Sequence, residues 1–503
     1  MSRKKRRRSK PRYAAYASAL FAAAVLALFW LTREPPISWV TDFERGVAAA
    51  RTQSRPAIAV FDATWCSWCQ LYHRGTLADR GVVSAITRDY VPILIDFDAR
   101  PDLAARYQVR GLPYTLLLSP HGEFASGFVG ILRPADMLAT LTAARSGQSP
   151  DGAGTLPAMT ITPRAATRAE YQRIRSAFLD HLEQLYDPDV GTLLGKLASG
   201  ATLKRPSPRT WLYLTEHELW KERRLRAARA ERTRLFDPID GGFFNFLDPS
   251  VATGDYLESS KLLESNAWLT LWFANEKDEA ARGGWHYLRN TLWDHRFGGF
   301  FQAQNADDHY YSLSAEQRRQ RTIPPLDRIK RADTNAQAAW VLAALARLWN
   351  EREPAALAAQ TLNFVLIRMW RDGHLFHALR GQALNTPDQP LDWFWLLAAA
   401  AELPHDGLDP VARRNLETAS RQAAEWLQIR KSRTDAAAIP AELAGLIAWV
   451  GGRRDRYPAL PVETRELGLR ALRLDGETAP DDVTLALQAW ETLLTQRPRR
   501  PTD

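Results

Sequence analysis

The apolar run Ala57-Ile58-Ala59-Val60-Phe61 is followed within a few residues by Trp65-Cys66-Ser67-Trp68-Cys69 and then by helix-compatible sequence. These are the two cysteines of a 503-residue chain. A protein that staples itself with disulfides scatters several cysteines along its length, so a lone pair three positions apart points to redox or metal chemistry. A structural zinc site takes four ligands. His73 is a single extra candidate beside the pair, so redox chemistry is expected and a metal is not. The placement at a strand-to-helix junction carries the argument further. Exposed amides at the start of a helix stabilise a thiolate on Cys66 and make it nucleophilic near neutral pH. Cys69, one turn further in, is placed to resolve a mixed disulfide. The cysteine pair is its own redox group, and no cofactor is expected.

The surrounding pattern alternates strand-like and helix-like segments. Val91-Pro92-Ile93-Leu94-Ile95-Asp96 and Leu116-Leu117-Leu118 read as further strands, and helices are expected over 39–51, after Cys69, over 102–107 and over 134–144. This is a compact α/β unit spanning 37–145. Pro113, within Gly111-Leu112-Pro113-Tyr114-Thr115, follows Cys69 by 44 residues and stands just before a strand. The combination of a Phe-x-Ala-x-Trp-Cys-x-x-Cys segment at 61–69, Asp98 to Pro101, Tyr107 to Arg110 and Pro113 resembles the thioredoxin superfamily. The resemblance implies that Pro113 is cis and faces the cysteines, and that an extended substrate backbone aligns beside Leu112. Trp65, Ser67 and Trp68 complete the implied substrate-binding surface. A trans proline opening a strand is the alternative. Val60 and Leu94 stand where the family commonly carries a buried acid and a buried lysine, which leaves the proton acceptor for Cys69 unassigned. Asp62 reads as an exposed loop carboxylate.

The formal charge of +9 is concentrated at the N-terminus, where Arg3, Lys4, Lys5, Arg6, Arg7, Arg8, Lys10 and Arg12 have no acid among them. The remainder is near neutral, at about +1. It offers no broad basic face for a phosphate backbone, and the 18 tryptophans suit helical packing at least as well as base stacking. Nucleic acid is therefore not an expected partner. Residues 13–32 are uncharged, long enough to cross a bilayer once, and preceded by the basic segment 1–12. Charge asymmetry then keeps the N-terminus in the cytoplasm. The expectation is a single-pass anchor in a bacterial inner membrane with both folded domains periplasmic. A cleaved signal peptide is the alternative, although Phe29-Trp30-Leu31 supplies no small-residue cleavage site.

Residues 146–163 read as a linker rich in Gly, Ser, Pro and Thr. Beyond it, 164–496 is dominated by Ala, Leu, Arg and Trp at helical spacing. One example is the row Trp340, Ala344, Leu348 beside Val341, Leu345, Trp349, with Asp333 as an expected N-cap. An aromatic-acid-glycine pattern recurs as Tyr186-Asp187 with Gly191, Phe236-Asp237 with Gly241, and Trp293-Asp294 with Gly298, with a degenerate copy at Trp370 to Gly373. Its spacing fits roughly six helical hairpins. These are expected to close into an (α/α) toroid, with the Gly-Gly-Phe-Phe loops at 241–244 and 298–301 on one rim; an open solenoid is the runner-up. Residues 497–503 read as a tail.

A toroid after a thioredoxin-like domain is similar to the spermatogenesis-associated thioredoxin-like proteins and their bacterial relatives, whose helical part resembles six-hairpin glycosidases and sugar epimerases. Where those relatives show His-Phe-Glu-Lys, this chain has Glu258-Ser259-Ser260-Lys261. The first functional expectation is a membrane-anchored thiol:disulfide oxidoreductase acting on protein disulfides or thiols, with an unidentified electron donor or acceptor. The second is a carbohydrate-binding or carbohydrate-active toroid with an auxiliary redox domain, using loop carboxylates such as Asp237, Asp240, Asp294, Asp307 and Asp308. The plainer expectation for those acids is a role in turns. A scaffold without chemistry is the third.

Overall fold

The computed structural model describes residues 36–495 apart from 110, 146–166, 197–201, 249–255, 405–406, 433–438, 454 and 472–479. The expected anchor at 13–32, its basic segment, the linker 146–163 and the tail 497–503 fall outside the described residues. Among the described residues no helix is long and apolar enough to cross a membrane.

The first domain is a four-stranded sheet of β1 (Ala57–Asp62), β2 (Val91–Asp96), β3 (Tyr114–Leu118) and β4 (Phe124–Val129), in the order β2-β1-β3-β4. β1 runs parallel to β2, with Ala57 opposite Val91, and antiparallel to β3, with Phe61 opposite Tyr114. Ala57 to Phe61 is apolar without alternation because this central strand is buried on both faces. One face packs on α1 (Phe43–Gln53) through Phe43 and Ala50 and on α4 (Pro101–Arg106) through Leu103. The other packs on α2 (Ser67–Arg74), α3 (Arg80–Asp89) and α5 (Pro134–Arg145) through Tyr72, Ile86 and Met137. β4 has no counterpart among the strands expected from sequence. Phe124-Ala-Ser-Gly-Phe-Val contains no apolar run and forms a strand by completing the ladder of β3 at the sheet edge.

The second domain is two concentric sets of helices. The inner set comprises α7 (Pro208–Glu216), α9 (Leu263–Asn275), α11 (Ala332–Trp349), α13 (Pro390–Ala401), α15 (Ala441–Gly451) and α17 (Pro480–Thr495). The outer set comprises α6 (Arg168–Leu185), α8 (Lys221–Leu235), α10 (Ala280–Tyr287), α12 (Arg352–Arg368), α14 (Pro410–Ser432) and α16 (Thr464–Ala471). Each inner helix packs on the next and α17 returns to α7, so the ring closes as a six-hairpin toroid and not as an open solenoid. Inner helices such as α9 and α13 are buried nearly all round and mostly apolar, whereas α8 carries charge along its outer side.

The Val341 and Leu345 row of α11 lies in the core. Trp340 turns inward, its ring 5.0 Å from that of Trp268, 5.6 Å from Trp395 and 5.4 Å from Trp449. These rings come from inner helices that are not all neighbours, so aromatic side chains meet across the middle of the ring. The expected N-cap at Asp333 is corrected. Arg331 occupies the cap position, and Asp333 lies in the first turn with its carboxylate taken by the Arg331 guanidinium at 2.5 and 3.1 Å.

The aromatic-acid-glycine loops are stapled in a repeated way. Lys261 Nζ donates to Asp237 Oδ2 and to Gly241 O, both at 2.7 Å, and Lys330 Nζ does the same to Asp294 Oδ2 and Gly298 O, both at 2.6 Å. Five residues after each lysine, Asn266 and Asn335 accept the N–H of Phe243 and Phe300 at 2.7 Å.

Candidate redox site at the domain interface

Cys66 is the N-cap of α2, and its Sγ accepts the Cys69 N–H at 3.2 Å with Cys69 Sγ 2.7 Å away. The Leu112–Pro113 peptide is cis. Both cysteines are closed off, Cys66 at 3% and Cys69 at 1% exposure. Burial, with the adjoining Cys66 sulfur and the Asp62 charge in support, holds the Cys69 thiol far above its ordinary value. Cys69 is therefore a neutral thiol until something takes its proton. The expectation of an exposed loop for Asp62 is corrected. β1 runs one residue past its apolar run, pairing Asp62 with Asp96, and Asp62 is half-buried with Oδ2 3.1 Å from His73 Nε2. His73, considered above as a metal ligand, is engaged by that carboxylate.

The sequence-predicted substrate surface is brought together, and the helical domain lies on it. Trp65 O accepts the Ala306 N–H at 3.2 Å, and Trp65 Nε1–H donates to Asp98 Oδ2 at 2.7 Å. Asp98 Oδ1 in turn accepts from Arg331 Nη1 at 2.8 Å. Burial pushes the Asp98 carboxyl up, while Arg331 and the Trp65 N–H act against it. Thr64 Oγ1 donates to Asp327 Oδ2 at 2.6 Å, and the Trp68 ring tilts onto that of Tyr256 at 4.8 Å. Ser67 N–H donates to Glu258 Oε1 at 3.3 Å, and the Ser67 hydroxyl bonds Glu258 Oε2. Cys66, Cys69, Ala63 and Trp65 share one apolar cluster with Ala303, against which Leu112 and Leu262 pack. Pro113 is buried. Further out, Arg380 Nη2 reaches Asp96 Oδ2 at 2.6 Å, and Thr386 Oγ1 donates to Ala99 O at 2.7 Å. Glu258, Asp327, Arg331 and Arg380 belong to no motif of the first domain. The one signal that could have found Glu258 is its place where relatives show a histidine.

The loop acids proposed for sugar chemistry are taken up in ion pairs and caps, and of them only Asp237 and Asp240 meet, on one Arg318 nitrogen. Asp237 and Asp240 are held by Arg318 at 2.8 and 2.9 Å, Asp294 by Lys330, and Asp307 caps a short helix through Tyr310 N–H at 2.9 Å. Asp308 accepts from Tyr256 and Ser259 at 2.9 and 2.7 Å. The acids that do gather lie within the ring and escaped the sequence reading. Arg209 donates to Glu442 and Asp482, both at 3.0 Å, with its guanidinium 5.6 and 5.8 Å from the Trp268 and Trp395 rings. Burial and the neighbouring Glu442 charge push Glu264 and Asp482 up to about 7. Beside them Asp333, His377 and Asp392 place possible metal-ligand atoms within 4.8 Å of one another. His377 Nδ1 lies 2.9 and 3.1 Å from the Asp392 oxygens. Against burial, which acts the other way, Asp392 and Asp333 hold His377 above its ordinary value. With Arg331 on Asp333, this group is charge-compensated by its own side chains.

The family model described as a thioredoxin-like domain matches residues 43–145. Among curated proteins, thioredoxin Y2, chloroplastic, of Arabidopsis thaliana is 34% identical over 89 residues, which is 18% of this chain and 50% of that protein. The chain thus spans about half the length of that relative. Among solved structures, cellobiose 2-epimerase from Spirochaeta thermophila DSM 6192 is 16% identical with a TM-score of 0.48, covering 65% of this chain and 99% of its own. A thioredoxin from Thermus thermophilus is 23% identical with a TM-score of 0.21, covering 22% of this chain and 88% of its own. Residues 43–145 are a thioredoxin-like domain, docked by its Cys-x-x-Cys end onto a six-hairpin (α/α) toroid.

Proposed function

We propose that the chain is a thiol:disulfide oxidoreductase acting on protein disulfides or thiols through Cys66 and Cys69, with no cofactor besides the pair. The observation that carries this reading is the Cys-x-x-Cys pair at the N-terminus of α2 in a thioredoxin-like domain. In the reducing direction Cys66 attacks a client disulfide, forming a mixed disulfide and releasing one client thiol. Cys69 then loses its proton and attacks Cys66 Sγ, which releases the second client thiol and leaves a Cys66–Cys69 disulfide. Two electrons pass to the client. An unidentified dithiol donor restores the pair, and the reverse sequence serves oxidation. Trp65, Ser67, Trp68, Leu112 and Pro113 are the client-facing surface, so the helical domain must shift away before a protein client reaches Cys66. Residues 13–32 anchor the chain in a bacterial inner membrane with both domains periplasmic.

Insulin reduction by the full chain tests the site. Cys66→Ser is expected to abolish turnover, and Cys69→Ala to accumulate mixed disulfides through Cys66. A Cys66→Ser variant that still reduces insulin would remove the assignment.

A second reading rests on the ring centre, where Arg209, its acidic partners and the buried Trp268 and Trp395 rings form a polar and aromatic cluster of the kind a carbohydrate site uses. Glycan-array binding that depends on Arg209 would support it.

A further inference from the structure

Ser67 is the first residue of α2, and its amide is among those by which the helix start favours an anion at Cys66. That amide is already taken, donating to Glu258 Oε1 at 3.3 Å while the Ser67 hydroxyl bonds Oε2. Glu258 belongs to the other domain. It ends the strand Tyr256–Glu258, pairs with Phe246, and its own carbonyl accepts the Asn245 N–H at 3.1 Å. It is buried, so the carboxyl is held in a fixed position against the first turn of the redox helix.

Building on the oxidoreductase reading, we propose that Glu258 is a positioning residue of the redox centre, through which the docked helical domain biases the Cys66/Cys69 pair toward its disulfide and makes the dithiol a stronger reductant. Two effects act in the same direction. Occupying the Ser67 amide withdraws a donor from a sulfur anion on Cys66, and a nearby carboxylate charge repels that anion in a site with little water to screen it. Both disfavour the reduced pair and leave the neutral disulfide untouched. In the exchange the dithiol and a client disulfide become the Cys66–Cys69 disulfide and two client thiols, with the two cysteine protons ending on the client sulfurs.

Burial raises the Glu258 carboxyl above its ordinary range, opposed by the Ser67 donors, so the charge is lost on the acid side. The other charged or titratable groups around the pair are Asp62 with His73 beside Cys69, Asp98 with Arg331 at Trp65, Asp327 at Thr64, and Tyr256 with Asp308 at Trp68. Lys261, three residues on, is committed to Asp237. All of these remain in a Glu258→Gln variant, whose amide oxygen can still accept from Ser67.

The test equilibrates the full chain with glutathione buffers at several pH values and reads the dithiol fraction by the mass shift on alkylation. At pH 8 Glu258→Gln is expected to move the equilibrium constant about tenfold toward the dithiol, close to 30 mV, with the gap to wild type narrowing toward pH 5. Arg380→Ala breaks the contacts to Asp96 and Asp327 and leaves Glu258 in place, so it reports what loosened docking and the loss of an interface cation do without touching Glu258. A shift below twofold, a shift toward the disulfide, a gap that ignores pH, or an equal shift in Arg380→Ala overturns the proposal. If Cys66→Ser abolishes insulin reduction while Glu258→Gln leaves the equilibrium unmoved, only this inference falls. If the wild-type pair neither equilibrates with glutathione nor reduces insulin, the oxidoreductase reading falls and takes the inference with it.

Discussion

Glu231 on α8 is buried, and Thr192 Oγ1 donates to its carboxyl at 2.6 Å. Burial, offset in part by that donor and by Arg234, pushes its carboxyl up to about 7 from an ordinary 4.5. Between those two values the folded protein keeps a proton that the unfolded chain releases, so stability falls as pH rises through that window and levels off above it. The accumulated cost is on the order of 3 kcal/mol. Glu231→Gln is therefore expected to flatten the decline, gaining on wild type from pH 5 to pH 7.5 by up to that amount in urea unfolding; parallel curves for the two proteins would count against it. Nothing in the sequence around Glu231 marks it as unusual, because α8 reads as a charged outer helix and burial is a property of what packs over it. Cys66 and Cys69 are the opposite case, legible from spacing alone because the chemistry is carried by two atoms one helical turn apart.

Glycines at positive φ matter in two distinct ways, one inside the aromatic-acid-glycine loops and one outside them. Gly242 has φ of +76°, and a Cβ there would lie 2.6 Å from the Tyr287 ring and 2.9 Å from Asn266 Oδ1. Gly130, with φ of +92°, has no atom within 4 Å of the same position. Gly130→Ala is expected to cost about 1 kcal/mol of backbone strain alone. Gly242→Ala adds the collision and is expected to cost about 3 kcal/mol, because the neighbours are a packed ring and a hydrogen-bonded amide. Thermal or urea unfolding of both variants checks the contrast, and equal losses would mean the loop yields where its packing says it cannot. The glycines and the loop acids were legible as a repeat. Their partners Lys261 and Lys330 were not, since each lies beyond a separate segment of chain, 24 and 36 positions from the acid it holds. β4 was missed for a related reason: an edge strand with few apolar residues is specified by its partner β3 more than by its own sequence.

At the scale of the whole molecule, the redox pair is covered by the domain that follows it. Asp98–Arg331, Asp96–Arg380 and Thr386–Ala99 O are spread across one interface, so weakening one of them should loosen the docking without unfolding either domain. Arg380→Ala is expected to raise the rate of Cys66 alkylation in the full chain several-fold at fixed pH, with little change in the unfolding midpoint because the ion pair is partly exposed. An unchanged rate would mean that access to Cys66 is limited elsewhere. The amino-acid order by itself determined the α/β unit at the front, the cysteine pair at its helix start and the helical hairpins behind, since each rests on periodicity or spacing within a short stretch. Only the tertiary structure decided that the six hairpins close, that the acids gathering in the ring are Glu442 and Asp482 on Arg209 and not those of the loops, and that Glu258 meets Ser67 across 191 positions of chain. Such contacts depend on how two finished surfaces fit, and no local pattern encodes the distance between residues that far apart.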